Sequence, residues 1–210
     1  DIDIVCVGSG IDLAKALKKT VSNSTKIQIF KNYGTAMFTW NDIVLEFVGA
    51  RKESYSTESR NPNIEIGSLE DDQNRRDFTI NTLAISLNPS NFGKIIDPFN
   101  GIKDLKNNVL KTPLDPDKTF SDDPLRMLRG IRFATQLNFT IEKKSYRSIS
   151  KNSDRIKIIS KERIVEELNK IISSQKPSIG FMILDQTGLL NHILPEIQNL
   201  KGVEEIEGFK

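Results

Sequence analysis

Apolar and polar positions fall into two regimes along the chain. In the first, short runs alternate with a period of two, the mark of strands with one buried face. Residues 1–7 alternate and then turn wholly apolar, which predicts a strand running into a core and ended by Gly8-Ser9-Gly10. Residues 11–19 have helical spacing, with Ile11, Leu13, Ala14 and Leu17 as the apolar set. Residues 26–30, 35–38 and 43–48 read as further strands, with a turn at Trp40-Asn41-Asp42. The Ser-, Asn-, Pro- and Gly-rich stretch 55–68 reads as a loop. Residues 77–87 are amphipathic and read as a helix opened by Glu70-Asp71-Asp72, because negative charge suits a helix N-terminus. Residues 95–105 read as a strand end followed by a turn.

The second regime begins after Pro113 and the run Asp115-Pro116-Asp117. From there the spacing is helical: 124–136, 145–152, 160–173, 179–186 and 189–193. The expected architecture is α+β, a mixed β-sheet head with helices over 1–114 followed by an all-α part over 115–210.

Composition narrows the chemistry. The chain has 210 residues, with one cysteine, Cys6, and one histidine, His192. An internal disulfide, a Cys-rich zinc site and a Ser-His-Asp triad are therefore disfavoured, which leaves carboxylates, arginines, lysines and hydroxyls to do any catalysis. Lys and Arg number 30 against 28 Asp and Glu, so nucleic-acid binding must come from local clusters. No apolar run approaches the roughly 20 residues that span a bilayer. With no signal-like opening, a cytoplasmic location without membrane contact is expected.

Two clusters stand out. Asp1 and Asp3 sit two apart on a strand, so both side chains share a face. They are either solvated acids at a strand edge or ligands for Mg²⁺, which takes hard oxygens and commonly uses one or two carboxylates plus substrate phosphates. Glu46, inside the apolar run Val44-Leu45-Glu46-Phe47-Val48, is a third candidate, since a buried glutamate needs a partner. The second cluster is the helix after Ser121-Asp122-Asp123-Pro124. Asp123 and Arg126 are three apart and project together, while Arg126, Arg129 and Arg132 form a basic ridge. That is either a solvent-facing Asp–Arg pair or a base reader. An acceptor beside a donor matches the Watson–Crick edges of cytosine and adenine and mismatches those of uracil and guanine. The remaining arginines suit a triphosphate. Arg75-Arg76-Asp77 is a similar set, with arginines for phosphate and a carboxylate for a ribose hydroxyl.

The segment Arg75-Arg76-Asp77-Phe78-Thr79-Ile80-Asn81-Thr82-Leu83-Ala84 resembles the RRDFTINALA motif of the class II tRNA nucleotidyltransferase and bacterial poly(A) polymerase family. Residues 97–105 resemble its DPxxGxxDL motif, 122–134 its EDPLRxLRxxRFA motif, and 159–168 the last conserved block of its neck. The resemblance implies a nucleotidyltransferase-type head and a helical neck. It implies Mg²⁺ on Asp1 and Asp3, with Glu46 as a further acidic residue of the catalytic strand. It implies triphosphate and ribose contacts by Arg76 and Asp77, base reading by Asp123 and Arg126, and further nucleotide or RNA contacts by Arg129 and Arg132. The implied reaction adds C and A from CTP and ATP to the 3′ end of tRNA, with release of pyrophosphate. Poly(A) polymerase and A-only or CC-only addition share these motifs, and a non-catalytic RNA- or nucleotide-binding module is a further alternative. Lys143, Lys144, Arg147, Arg155, Lys157, Lys161 and Arg163 are candidates to grip RNA. Three positions depart from the family pattern. The Gly-rich segment that precedes the aspartates is absent, so a fragment is expected; Asp122 replaces a glutamate and Thr82 an alanine.

Overall fold

The N-terminal alternation builds a sheet. The structure is a computed structural model that describes residues 1–21, 26–56 and 59–202. Strand β1 (Ile2–Cys6) leads into helix α1 (Gly10–Val21), followed by β2 (Gln28–Phe30), β3 (Thr35–Trp40) and β4 (Ile43–Gly49). The strand order is β1-β4-β3-β2, with β1 parallel to β4 and the other pairs antiparallel. Trp40 still belongs to β3, and the turn is made by Asn41 and Asp42, both at positive φ (48° and 64°). Such turns match the twist of a hairpin, and Asn and Asp tolerate them. Helix α1 covers one face, where Ala14, Ala36, Phe38, Leu45 and Phe47 form the core. The Phe38 and Phe47 rings stack at 5.4 Å. The β1–α1 turn needs glycine: Gly8 has φ +111°, and a Cβ on Gly49 would sit 2.3 Å from the Gly8 carbonyl oxygen.

Strands β5 (Arg51–Ser56) and β6 (Ser59–Ile66) then pair as a two-stranded sheet, and α2 (Leu69–Asn74) follows. The expected loop at 55–68 is therefore largely strand; residues 57 and 58 of it lie outside the described residues. Its Ser, Asn and Pro content hides a ribbon held by backbone pairing rather than by an apolar stripe. The acidic run Glu70-Asp71-Asp72 does open a helix, but that helix is α2. Ser68 and Asp71 close a reciprocal capping box at its start, and the helix ends by residue 74.

The segment expected as helix 77–87 forms a single 3₁₀ turn at Thr79–Asn81 and then β7 (Ala84–Ile85). Long-range partners override its amphipathic period: the Thr79 amide donates to the Lys111 carbonyl, and Asp77 is held by three donors described below. Next come β8 (Ile95–Ile96), paired with β7, then α3 (Gly101–Lys106) and β9 (Val109–Leu110). The helices are α4 (Pro116–Asp122), α5 (Leu125–Leu137), α6 (Lys143–Lys151), α7 (Lys161–Ile172), α8 (Pro177–Gln186), α9 (Leu190–Ile193) and α10 (Pro195–Asn199). One short strand, β10 (Thr140–Ile141), interrupts the helical half and pairs in parallel with β9.

Compactness divides the chain at Arg75/Arg76. One unit holds Asp1–Tyr55 and Asn61–Arg75, the other Ser56–Arg60 and Arg76–Lys210. The compositional change at residues 114–115 marks a switch of secondary structure, not of packing. Phe78 and Leu110, which precede it, are fully buried in one cluster with Phe120, Leu128, Ile131 and Leu184. The apolar face expected on α5 is this core: Leu125, Leu128, Ile131 and Ala134 are each at most 4% exposed. Among the described residues no helix is long and apolar enough to cross a membrane.

Candidate functional site

In the first unit, strand pairing assembles the carboxylates. Asp3 on β1 lies in register with Glu46 on β4, and Glu46 in turn with Met37 on β3. Neighbouring β4 residues Leu45 and Phe47 point into the core, so Glu46 points to the other face. Asp1, Asp3 and Glu46 are all exposed. Glu46 is therefore not a buried acid needing a partner, as its apolar flanks suggest; its neighbours are buried on the opposite face. Among the described residues no group of three or more His, Cys, Asp or Glu is arranged to hold a metal ion. Two accessible carboxylates on one face still suit a cation such as Mg²⁺, whose remaining ligands are water and substrate phosphate oxygens.

Arg75, the first arginine of the RRD run, is spent within this unit. It bonds Asp72, which is 1% exposed, and lies 3.2 Å from Glu53, which also meets Arg51 at 3.2 Å. Arg76 is half-buried.

In the second unit, Asp77 is only 6% exposed. Its Oδ1 accepts from the Phe78 amide and from Asn81 Nδ2, both at 2.9 Å, and its Oδ2 accepts from Arg129 Nε at 2.7 Å. Burial alone would raise this carboxyl's pKa. The Arg129 charge, the Asn81 and Arg129 hydrogen bonds and the nearby Arg126 outweigh it, so the pKa is depressed and the group ionised.

The junction of α4 and α5 presents Asp123 and Arg126. Asp123 has extended backbone, and its Oδ1 accepts from the Leu125 amide at 3.2 Å, capping α5. Arg126 is 8% exposed and donates from Nη1 to the Thr119 carbonyl at 3.3 Å. The expected basic ridge is mostly internal. Arg132 lies 3.0 Å from Glu167 on α7, with the two side chains 12% and 6% exposed. Burial lowers its pKa and Glu167 opposes that shift. Arg129 is the more accessible, its side chain 35% exposed.

Three further residues were not read as functional from sequence. Phe133 packs under Arg132 at 4.3 Å and Arg129 at 5.4 Å, and meets the Phe78 ring edge-on at 6.0 Å. Asn81 and Glu167 hold Asp77 and Arg132. The signals available were the four-residue spacings Asp77/Asn81 and Arg129/Phe133, which place side chains together only once a helix or turn is known. The DPxxGxxDL segment is a structural clip. Asp97 accepts from the Gly101 and Ile102 amides, and Asp104 from the Thr79 hydroxyl. Of the basic residues proposed for RNA, Lys143, Lys144, Arg147, Lys157 and Lys161 are exposed and Arg163 is half-buried. Arg155 is half-buried and donates to the Ser121 carbonyl at 2.9 Å.

An α+β sheet unit with paired exposed carboxylates, followed in sequence by a helical unit with an inward-set arginine cluster, is a nucleotidyltransferase-type fold. Residues 1–111 match the family described as "Poly A polymerase head domain", and residues 138–201 match "Probable RNA and SrmB- binding site of polymerase A". The chain belongs to this poly(A) polymerase head-domain family. It is 34% identical to a CCA-adding enzyme of Ligilactobacillus salivarius, over 100% of this chain and 51% of the relative. It is 37% identical to an A-adding tRNA nucleotidyltransferase of Aquifex aeolicus, over 80% of this chain and 20% of the relative. A solved tRNA nucleotidyltransferase complexed with a primer tRNA and an incoming ATP analogue superposes with a TM-score of 0.75 at 29% identity, covering 98% of this chain and 55% of that one. The chain thus spans at most about half the length of these relatives.

Proposed function

We propose that the protein of which this chain is the head and neck adds nucleotides to the 3′ end of tRNA, using CTP and ATP and releasing pyrophosphate. The observation that carries this reading is the pairing of Asp3 with Glu46 on an exposed sheet face, two residues from Asp1, in a chain of this family. In this reading residues 1–114 serve as catalytic head and 115–210 as the nucleotide- and RNA-binding neck.

Asp1 and Asp3 would hold Mg²⁺, with Glu46 adding negative charge beside them. When bound, the cation lowers the pKa of the attacking 3′-hydroxyl and neutralises charge on the α-phosphate and leaving pyrophosphate. The protein's own contribution is positioning. Asp123 accepts from, and Arg126 donates to, the Watson–Crick edge of the incoming base, a pattern that fits both C and A. The cap on Asp123 and the Thr119 contact of Arg126 keep this pair from swinging. Arg76 and Arg129 bind phosphate or ribose oxygens. Exposed lysines of the neck hold the RNA backbone, so binding weakens with salt. C-plus-A addition is favoured over A-only addition because one acceptor–donor pair accommodates both bases.

The test uses the full-length protein with Mg²⁺, each labelled NTP in turn, and tRNA ending before CCA, after C and after CC. Stepwise addition of C, C and A that then stops is expected. Addition of A alone to CC-ended tRNA reassigns it as A-adding, and long A tails on unrelated RNA as a poly(A) polymerase. The Asp3→Ala variant is expected to lose incorporation with an unchanged melting temperature, because Asp3 is exposed. Full activity of that variant would remove the metal assignment.

A further inference from the structure

We infer that Arg155, which lies outside the arginine helix, is a positioning residue for Asp123: by holding the Ser121 carbonyl it fixes the bend between α4 and α5. This rests on the base-reading role of Asp123 proposed above. The last carbonyls of a helix have no intrahelical amide to accept from, and the sequence after α4 deepens that shortage. Four residues beyond Phe120 stands Pro124, which carries no N–H. Four residues beyond Ser121 stands Leu125, and its amide is given instead to Asp123 Oδ1 at 3.2 Å. One N–H cannot serve the Ser121 carbonyl and the Asp123 carboxylate together in good geometry. Arg155 removes that competition. Its Nη2 donates to the Ser121 carbonyl at 2.9 Å, which leaves the Leu125 amide to the carboxylate. Pro124 stops the helix, and Arg155 sets where its end points. The arginine is itself well anchored, in a 3₁₀ segment over Ser153–Ile158. Its amide donates to the Asn152 carbonyl at 3.0 Å, and the next residue, Ile156, is 1% exposed in the core. The same stretch of chain holds the other end of α4, where Asp117 accepts from Ser148 Oγ at 2.6 Å and from Lys151. Helix α4 is thus gripped at both ends from one side, and the grip of Arg155 falls two residues from Asp123.

The test uses the full-length protein. Incorporation on tRNA ending in CC gives kcat/KM for ATP and for GTP, and their ratio measures how well the base is read. Arg155→Met keeps the stem and removes the donors. It is expected to lower the ATP-to-GTP ratio by roughly tenfold, the scale of one hydrogen bond from a charged group, with KM for tRNA unchanged. Arg155→Lys keeps a charged donor and should recover most of the ratio. Arg155→Gln keeps a neutral donor; it gives a smaller loss and serves if Arg155→Met does not fold. Adding Arg155→Met to Asp123→Ala should lower the ratio no further, since the two act as one unit. A wild-type ratio in Arg155→Met, or a loss additive with that of Asp123→Ala, overturns the inference. So does a rise in KM for tRNA alone, which makes Arg155 an RNA contact. Hydrogen exchange read by mass spectrometry separates the positioning from the function. In Arg155→Met the peptide over residues 122–128 should exchange roughly tenfold faster, with the peptide over α6 unchanged. If the wild-type protein incorporates no nucleotide, or if Asp123→Ala discriminates as wild type does, the base-reading role fails. The exchange of that peptide then decides alone, and an unchanged rate shows that Arg155 does not set the bend.

Discussion

The ion pair between Arg132 on α5 and Glu167 on α7 gives the sharpest stability prediction. Its charges are 3.0 Å apart, and the side chains are only 12% and 6% exposed. Glu167 also meets Lys170 at 3.2 Å, but that lysine is about half exposed, and such a pair is worth little. Replacing Glu167 by Ala leaves Arg132 buried beside Arg129, with the more distant Asp77 charge and the Phe133 ring as compensation. Breaking one side of a buried pair costs about 3–5 kcal/mol, whereas removing both charges in favour of apolar groups of like volume is close to neutral. At roughly 2–4 °C per kcal/mol for a chain of this size, Glu167→Ala should lower the melting temperature by about 10 °C. Arg132→Met with Glu167→Leu should recover most of that loss. The assay is thermal and urea unfolding followed by far-ultraviolet circular dichroism, a signal dominated by the helices of the second unit; urea is chosen because it carries no charge to screen the pair. A Glu167→Ala variant within about 0.5 kcal/mol of wild type, the scale of an ordinary surface substitution, refutes the reasoning. So does a double variant as unstable as the single one.

Two more perturbations follow from named contacts. A Cβ on Gly101 would sit 2.4 Å from the Thr79 carbonyl oxygen, a backbone atom that cannot retreat because the Thr79 amide is bonded to Lys111. Helix propensity favours alanine by about 1 kcal/mol, but overpacking against backbone costs about 1–3 kcal/mol, so Gly101→Ala should destabilise. A urea midpoint equal to or above that of wild type would contradict the clash. The acid limit should depend on Asp77. Its folded pKa lies below the unfolded value of about 3.9, so its stabilisation is complete above that value and is lost as pH falls through the folded one. Urea midpoints should drop steeply below about pH 4, and Asp77→Asn should flatten that limb. An unchanged acid limb would mean that Asp77 titrates alike in both states.

How much was legible in sequence depended on whether the deciding contacts were local. The sheet strands and α5 were readable because their own apolar spacing meets the core, as Leu45 and Phe47, or Leu128 and Ile131, illustrate. Residues 77–87 failed for the opposite reason. Their helical period is real, but Asp77 is claimed by Arg129, 52 positions away, and Thr79 by Lys111 and Asp104. The β5–β6 ribbon failed because backbone pairing leaves no side-chain signature in a polar stretch.

For the candidate site, spacing picked out the right residues more readily than their roles. A helix turn places Arg126, Arg129 and Arg132 near one another, yet it is the surroundings of each that set its work. Arg132 meets a buried glutamate on another helix, and Arg129 meets a buried aspartate through its Nε. Both share Phe133, and both are set by the packing of Phe78 against Gly130, where a Cβ would come within 2.8 Å of the ring. Asp77 and Phe78 and the arginine helix are therefore one device. A sequence scan separates them by about fifty residues, and only the fold shows that the carboxylate of the first is the base on which an arginine of the second stands.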